Sequence, residues 1–231
     1  MQYENIREAK FISRPNRFIA DVEISGQEEI CHVKNTGRCK ELLLPNADVL
    51  VQEVSSVGRK TKYDLIGVYK GDRLINIDSQ APNKVFSEWL VGSDFWPDIK
   101  FIKPECRYRE SRLDFYLETD SRTIFIEVKG VTLENNGVVL FPDAPTERGI
   151  KHMNELCCAV SEGFEAYLVF IIQMKDVLYF SPNWETHPAF GEGMINAAKQ
   201  GVKMIALDCE VTADSITARD FVEVRLSGAG E

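Results

Sequence analysis

The chain is 231 residues long, 44% hydrophobic and 27% charged, with a formal net charge of −9. That length allows one large domain or two small ones, and the composition is that of an ordinary globular protein. The acidic balance excludes a uniformly basic nucleic-acid surface, so a polyanion would have to be met by local basic patches. Residues 1–80 carry 12 basic and 12 acidic side chains, and all of the excess acid follows them. No apolar run approaches the ~20 residues that span a bilayer. The six cysteines include no CxxC pair and no zinc-ligand spacing. The chain opens without a basic start and apolar run, so a cytoplasmic protein with reduced thiols is expected.

Five short strands are expected over 17–24, 28–35, 47–54, 63–69 and 73–77, punctuated by Gly26, Pro45, Asn46, Gly58 and Gly71. A small helical turn over 38–43 falls between the second and third of them, an unusual place for the compact OB-type barrel that five short strands otherwise favour. After Pro82 the rhythm changes. A helix over 83–91 puts Val85, Phe86, Trp89 and Leu90 on one face, and strands follow near 99–108, 112–118, 123–131 and 138–141. Thr146 is a natural N-cap for a helix reaching about residue 162, with a core face of Ile150, Met153, Leu156, Cys157 and Val160 and a stop at Gly163. The unbroken apolar run 166–172 is a buried strand. A further helix over 189–200, ended by Gly201, precedes a strand over 202–207. Strand, helix, strand, helix, strand makes this part α/β with a mixed sheet. The last residues, 227–231, are expected to be disordered.

Within that layer Asp114 lies in one apolar run and Glu127 in the next, thirteen residues on, with Asp120, Ser121 and Arg122 as turn residues between them. Glu127 and Lys129 are two apart, so on a strand both face the same side. Charges placed among apolar neighbours need partners or a metal. If Asp114 faces Glu127 across the ladder, the two carboxylates and the Val128 carbonyl can share one hard cation such as Mg²⁺ or Mn²⁺. Such an ion activates water and offsets phosphate charge, and Lys129 would orient that water or neutralise the transition state. Acid-x-lysine alone is common on a solvated strand face, so the motif by itself leaves both readings open.

Asp114 with Glu127-x-Lys129 resembles the PD-(D/E)xK nuclease core. Longer strings are more specific: Glu127-Val-Lys-Gly-Val-Thr-Leu133, Phe141-Pro-Asp-Ala-Pro-Thr-Glu-Arg-Gly149 with Lys151-His152, Asn35-Thr-Gly-Arg38 and Arg14-Pro-Asn-Arg-Phe18. Together they resemble the sugar fermentation stimulation protein A family over nearly the whole chain. The resemblance implies an N-terminal OB-like small β-barrel over residues 1–81, then a PD-(D/E)xK nuclease-like α/β domain with a mixed central sheet over 82–231. DNA binding is the activity it implies; cleavage is implied by fold and motif. It also makes Glu88, on the helix before the core strands, a candidate further acid at the site. Nothing in the residues resembles a sugar site.

Arg148 and His152 are four apart and share a helix face near its N-terminus, a natural phosphate site. Asn83 reads as a helix cap, Asp143 as a turn residue, and Gln173 as a polar strand end within reach of the site. In the first domain Arg14, Arg17, Lys34, Arg38, Lys40, Arg59, Lys60 and Lys62 are candidate nucleic-acid contacts, the last three clustered at a hairpin tip, with Phe18, His32 and Tyr63 available for stacking. Three functions remain open: a Mg²⁺-dependent nuclease on DNA, single- or double-stranded; a DNA-binding regulator of sugar-metabolism genes on a nuclease-like scaffold; and a metal-dependent hydrolase of a small phosphorylated molecule.

Overall fold

The computed structural model describes residues 1–35, 37–54 and 58–227. Strand β1 (Ile6–Asn16) pairs antiparallel with both β2 (Ile19–Ile24) and β4 (Asp48–Glu53). β3 (Gln27–Val33) turns back on β2 through Ser25 and Gly26, both at positive φ. β5 (Tyr63–Lys70) pairs antiparallel with β4 and parallel with β3, Cys31 opposite Tyr63 and Val33 opposite Leu65. That parallel pairing closes a five-stranded barrel and leaves those strands no open edge. β6 (Arg73–Asn76) folds back onto β5 across Gly71, at φ 61°.

The barrel departs from the sequence expectation in two linked ways. β1 was not foreseen, because only Ala9 and Phe11 of its eleven residues are buried, leaving little apolar alternation to read. Counting it moves the 38–43 segment to between the third and fourth strands, and the oddity of its position disappears. That segment is a single tight turn, Leu42 and Leu43 both donating their N–H to the Cys39 carbonyl, not a helix. Its buried Cys39, Leu42 and Leu43 join the barrel core.

The second layer opens with α1 (Ala81–Gly92), whose Pro82 stands in the first turn. Strands β7 (Ile99–Tyr108), β8 (Ser111–Thr119) and β9 (Thr123–Val131) form an antiparallel meander. β10 (Leu133–Asn135) and β11 (Val138–Phe141) make a small hairpin. α2 (Glu147–Ser161) leads to β12 (Glu165–Ile172), which lies parallel to β9. β13 (Tyr179–Pro182) joins the small hairpin, and α3 (Pro188–Lys199) leads to β14 (Lys203–Val211), parallel to β12. β15 (Ile216–Val222), also unforeseen, covers β14 antiparallel. The resulting six-stranded mixed sheet runs β15-β14-β12-β9-β8-β7.

β12 is buried along seven of its eight residues because helices cover both faces. On one face Val85, Phe86 and Leu90 of α1 pack with Phe115, Ile126 and Val169. On the other, Met153 and Leu156 of α2 and Phe190 and Met194 of α3 pack with Leu168 and Phe170. Thr146 caps α2 by accepting the Gly149 N–H at 3.0 Å, and Gly163 ends it at φ 92°, both as expected.

Barrel and sheet are joined by buried polar groups. Gln173, 1% exposed, donates from Nε2 to the Asn76 and Asp78 carbonyls and to Asn76 Oδ1, while its own carbonyl accepts the Asn76 N–H. Asp78, fully buried, accepts from Lys34 Nζ at 2.7 Å and from the Gln80 N–H at 2.9 Å. Glu134 reaches back to Lys70 and Arg73 of the barrel at 2.6 and 3.0 Å.

Burial works against the Glu134 carboxylate, but the hydrogen bonds from Lys70 and the Gly137 N–H and the charges of Lys70 and Arg73 hold its pKa below the usual value. A depressed carboxyl contributes stability above its unfolded pKa and loses it as pH falls through the folded one. Glu134→Gln is therefore expected to lower stability at pH 7 by about 2 kcal/mol, the scale of a hydrogen bond to a charged group. It should also flatten the loss of stability below about pH 4.5, read from urea titrations at stepped pH. Parallel pH profiles for the two proteins would remove the clamp.

Candidate functional site

β8 and β9 stay in register as far as Phe115 opposite Ile126. One step further stand Asp114 and Glu127, where the regular ladder stops. Asp114 Oδ2 accepts the Val128 N–H there at 2.8 Å, in place of a strand carbonyl. A residue's N–H and C=O leave a strand on the same side, so the Val128 carbonyl also faces the gap beside Asp114. Asp114 Oδ1 accepts from Asn83 Nδ2 at 2.8 Å. Asn83 lies inside the first turns of α1, whose N-cap is Gln80, so it is a ligand of Asp114 and not a cap. α1 can start so near β9 because residue 130 is glycine: a Cβ there would stand 2.6 Å from both Pro82 Cγ and Gln173 Oε1.

Glu127 is 3% exposed. Its Oε1 is shared by Lys129 Nζ and His152 Nδ1. Arg148 Nε donates to His152 Nε2 at 3.4 Å, which makes Nδ1 the protonated nitrogen and the donor to Glu127. The second oxygen, Oε2, is buried and has no partner. Burial opposes the Glu127 carboxylate, yet the His152 hydrogen bond and the Lys129 charge hold its pKa below the usual range. Asp114 is pushed the other way, upward, first by burial and then by the Glu127 charge. The two neighbouring carboxyls thus have opposed shifts, and one of them keeps an orphaned oxygen.

The pair lines a cleft of about 450 Å³ together with Ser79, Gln80, Lys129, Thr146, Arg148 and Gly149. Arg148 is exposed at the N-terminus of α2, placed to meet an anion entering the cleft.

Asp114, Glu127, Val128, Lys129 and Arg148 thus converge as the sequence predicts. His152 also joins them, but as a 5% exposed support for Glu127 and not as a phosphate contact. Glu88 does not join: it is half exposed and pairs with the N-terminal ammonium of Met1. Among the described residues no group of three His, Cys, Asp or Glu side chains is placed to hold a metal ion, so two carboxylates and one backbone carbonyl are the oxygen donors here. Gln173 serves the domain junction rather than the carboxylates, and Asp143 accepts the Arg38 N–H across that junction at 3.1 Å. Asn83, Ser79 and Gln80 were missed. A polar amide beside the apolar stripe of a Pro-initiated helix was the available signal for Asn83.

On the barrel, Arg14 is a structural residue, its guanidinium donating to the carbonyls of Arg17, Asn35, Gly37 and Arg38. Lys34 is committed to Asp78, Arg59 to buried Asp64, and Lys62 to Glu53. Arg17, Arg38, Lys40 and Lys60 are exposed, and Arg17 lies 4.7 Å over the exposed Phe18 ring. Thr36, within the 35–38 motif, and residues 228–231 of the tail lie outside the described residues. If the barrel binds DNA, Lys60→Glu is expected to weaken that binding severalfold at low salt and to reduce its salt dependence; fluorescence anisotropy showing unchanged affinity would remove this patch.

Residues 80–215 match the family model for the sugar fermentation stimulation protein RE domain, and residues 12–77 match that for the SfsA N-terminal OB domain. The chain belongs to the sugar fermentation stimulation protein family. A family homologue from Desulfitobacterium hafniense is 66% identical, covering 98% of this chain and 99% of the relative. One from Clostridium beijerinckii is 59% identical, covering 98% and 100%. A solved structure of Pyrococcus furiosus SfsA in complex with Ca²⁺ superposes with a TM-score of 0.87 at 30% identity, covering 97% of this chain and 98% of that one. The OB-type barrel and the nuclease-like mixed-sheet domain are thus family features. No described helix is long and apolar enough to cross a membrane, and all six cysteines are unpaired.

Proposed function

We propose that this family member is a divalent-metal-dependent nuclease acting on DNA. The observation that carries the reading is the convergence of Asp114, Glu127 and Lys129 at the open end of the β8–β9 ladder, with Glu127 Oε2 buried and unpartnered. Asp114, Glu127 and the Val128 carbonyl are the groups that would hold Mg²⁺ or Mn²⁺. Hard oxygen donors, an unpaired buried carboxylate oxygen and a pair of acids repelling one another fit such a cation. The Pyrococcus relative was solved in complex with Ca²⁺, itself a hard divalent cation. The chemistry the ion supplies is water activation and charge neutralisation at phosphorus.

The chain's own residues do the rest. Asn83 and the Val128 N–H fix Asp114, and His152 fixes Glu127, so neither acid must reorganise on binding. Lys129 places a positive charge beside Glu127, where charge builds on the phosphate oxygens. Arg148 and the start of α2 hold the neighbouring phosphate. The OB-type barrel, with exposed Arg17, Phe18, Lys40 and Lys60, supplies sequence-independent grip.

A second reading, a DNA-binding regulator without cleavage, is favoured by one observation: Lys129 is held in an ion pair with Glu127 instead of reaching freely into the cleft. Labelled single- and double-stranded DNA incubated with Mg²⁺ or Mn²⁺ separates the two. Cleavage by wild type, lost in Lys129→Ala, supports the nuclease. Binding without cleavage supports the regulator, and absence of binding at low salt removes both.

A further inference from the structure

β11 and β13 lie parallel and side by side, Phe141 opposite Pro182. The chain leaves both strands in step, one segment ending at Thr146, the N-cap of α2, and the other at His187, the N-cap of α3. Buried Asn183 ties the two segments together. Its N–H donates to the Phe141 carbonyl at 2.8 Å and its Nδ2 to the Pro142 carbonyl at 3.0 Å. Its Oδ1 accepts the Thr186 N–H at 3.1 Å, and its carbonyl accepts the His187 N–H at 2.9 Å. Residues 183–187 are thereby a closed turn whose last residue is set against the start of α2.

His187 is buried, and its side chain caps no N–H of its own helix. Its Nδ1 instead accepts the Thr146 N–H, at 3.3 Å. An accepting Nδ1 carries no proton, so the ring proton is on Nε2. That nitrogen stands 3.8 Å from Glu147 Oε1, too far for a hydrogen bond. The contact that His187 makes is therefore with the backbone of Thr146, and it joins the N-caps of two helices of 15 and 12 residues.

Thr146 decides where α2 begins. Its hydroxyl oxygen accepts the Gly149 N–H, and it lines the carboxylate cleft with Arg148, Gly149 and Glu127. Glu127 Oε2 is buried there without a partner. The Glu147 and Arg148 N–H groups, the first two of α2, have no carbonyl to meet within the helix. Together with the exposed Arg148 side chain they can address an anion in the cleft only while Thr146 keeps its place.

We propose that His187 is a positioning residue for phosphate: by accepting the Thr146 N–H it fixes the first turn of α2, so that the Glu147 and Arg148 N–H groups and the Arg148 guanidinium meet a phosphate in the Asp114–Glu127 cleft. The assignment rests on the nuclease reading for the phosphate that enters there. His187 itself does not line the cleft and touches no reacting atom. It acts through Thr146, as an outer partner that orients the group in contact.

The test is a titration of the full chain with inorganic phosphate at high Mg²⁺, followed by NMR shifts of the Arg148 and Gly149 amides. Asparagine at position 187 keeps an acceptor where Nδ1 stands; glutamine carries its oxygen further out, where Nε2 stands. His187→Gln is expected to weaken phosphate about tenfold, as a displaced binding group does, and His187→Asn to keep the wild-type affinity. Mg²⁺ affinity by calorimetry should be the same in all three proteins. A role confined to stability would instead lower the melting temperature of His187→Gln and leave the phosphate affinity of the folded protein unchanged. Should that variant melt too low to titrate, His187→Phe replaces it, keeping a ring stacked on Phe190 without the acceptor. Wild-type affinity in the variant lacking the acceptor, an asparagine variant as weak as the glutamine one, or phosphate that shifts neither amide in wild type would each overturn the proposal. The nuclease reading fails separately. Phosphate binding that depends on His187, with no DNA cleaved under Mg²⁺ or Mn²⁺, leaves the positioning role standing and removes the nuclease; cleavage with a phosphate affinity indifferent to His187 does the reverse.

Discussion

Asp114→Asn is expected to reduce Mg²⁺-dependent DNA cleavage by about 10³-fold or more while the melting temperature at pH 7 holds or rises. Asparagine keeps the local geometry: its oxygen can accept the Val128 N–H, and its amide can donate to a flipped Asn83. What it removes is the negative charge needed for a cation. The stability half follows from the direction of the shift. Burial and the Glu127 charge raise the Asp114 pKa in the folded chain. An acid raised on folding contributes stability below its unfolded pKa and loses it as pH rises through the folded one. At neutral pH without metal the ionised group therefore costs stability, and its neutral isostere does not. Calorimetry at pH 7, paired with a gel cleavage assay, checks both halves. A variant that melts well below wild type would show Asp114 to be a structural acid, and full cleavage would dismiss it as a ligand. Such opposition between stability and activity is common where function demands unpaired charge.

Asp78→Ala is expected to destabilise the protein by about 3–5 kcal/mol, the cost of stranding one partner of a buried ion pair. Asp78 is fully buried and serves both layers of the fold. Lys34, with a side chain only 16% exposed, would lose its counter-charge. The Gln80 N–H, at the start of α1, would lose its acceptor, and Tyr3 would lose its contact at 3.4 Å. Burial, and after it the Asp78 charge, pushes the Tyr3 hydroxyl pKa upward, so tyrosinate cannot compensate. In a chain of this size the loss corresponds to a fall of about 10 °C in Tm. Lys34→Met in the same chain should restore part of it, because the uncompensated ammonium is then gone. A single substitution costing less than about 1 kcal/mol would show that the junction is held by Gln173 and the Glu134 clamp instead.

Most of the nuclease-like domain was legible. α2 announced itself by Thr146, Gly163 and its apolar period, and β12 by an unbroken apolar run, because both elements bury a full face. β1 and β15 were not legible. Only two residues of β1 are buried, and β15 is an edge strand with most of its residues outside the core, so neither carries the period-2 signal. The same local weakness hid the usual strand count of the barrel.

Asp114, Glu127 and Lys129 could be selected from sequence alone. Two acids and a lysine in apolar runs violate the local rule for burial, and the spacing of two places Glu127 and Lys129 on one face. The family strings were equally a property of the sequence. Everything that tells a ligand from a support depended on tertiary contact. Glu88 and His152 are both polar residues on amphipathic helices, yet one helix turns its acid toward Met1 and the other turns its imidazole onto Glu127. Asn83 reaches Asp114 from 31 residues away, and Arg14 spends its guanidinium on four carbonyls that no local pattern reveals. Period and spacing act along one strand or helix, so the sequence sufficed for which residues face inward. Pairing between elements is decided by how helices cross the sheet and where a glycine lets them approach, and that only the folded chain could decide.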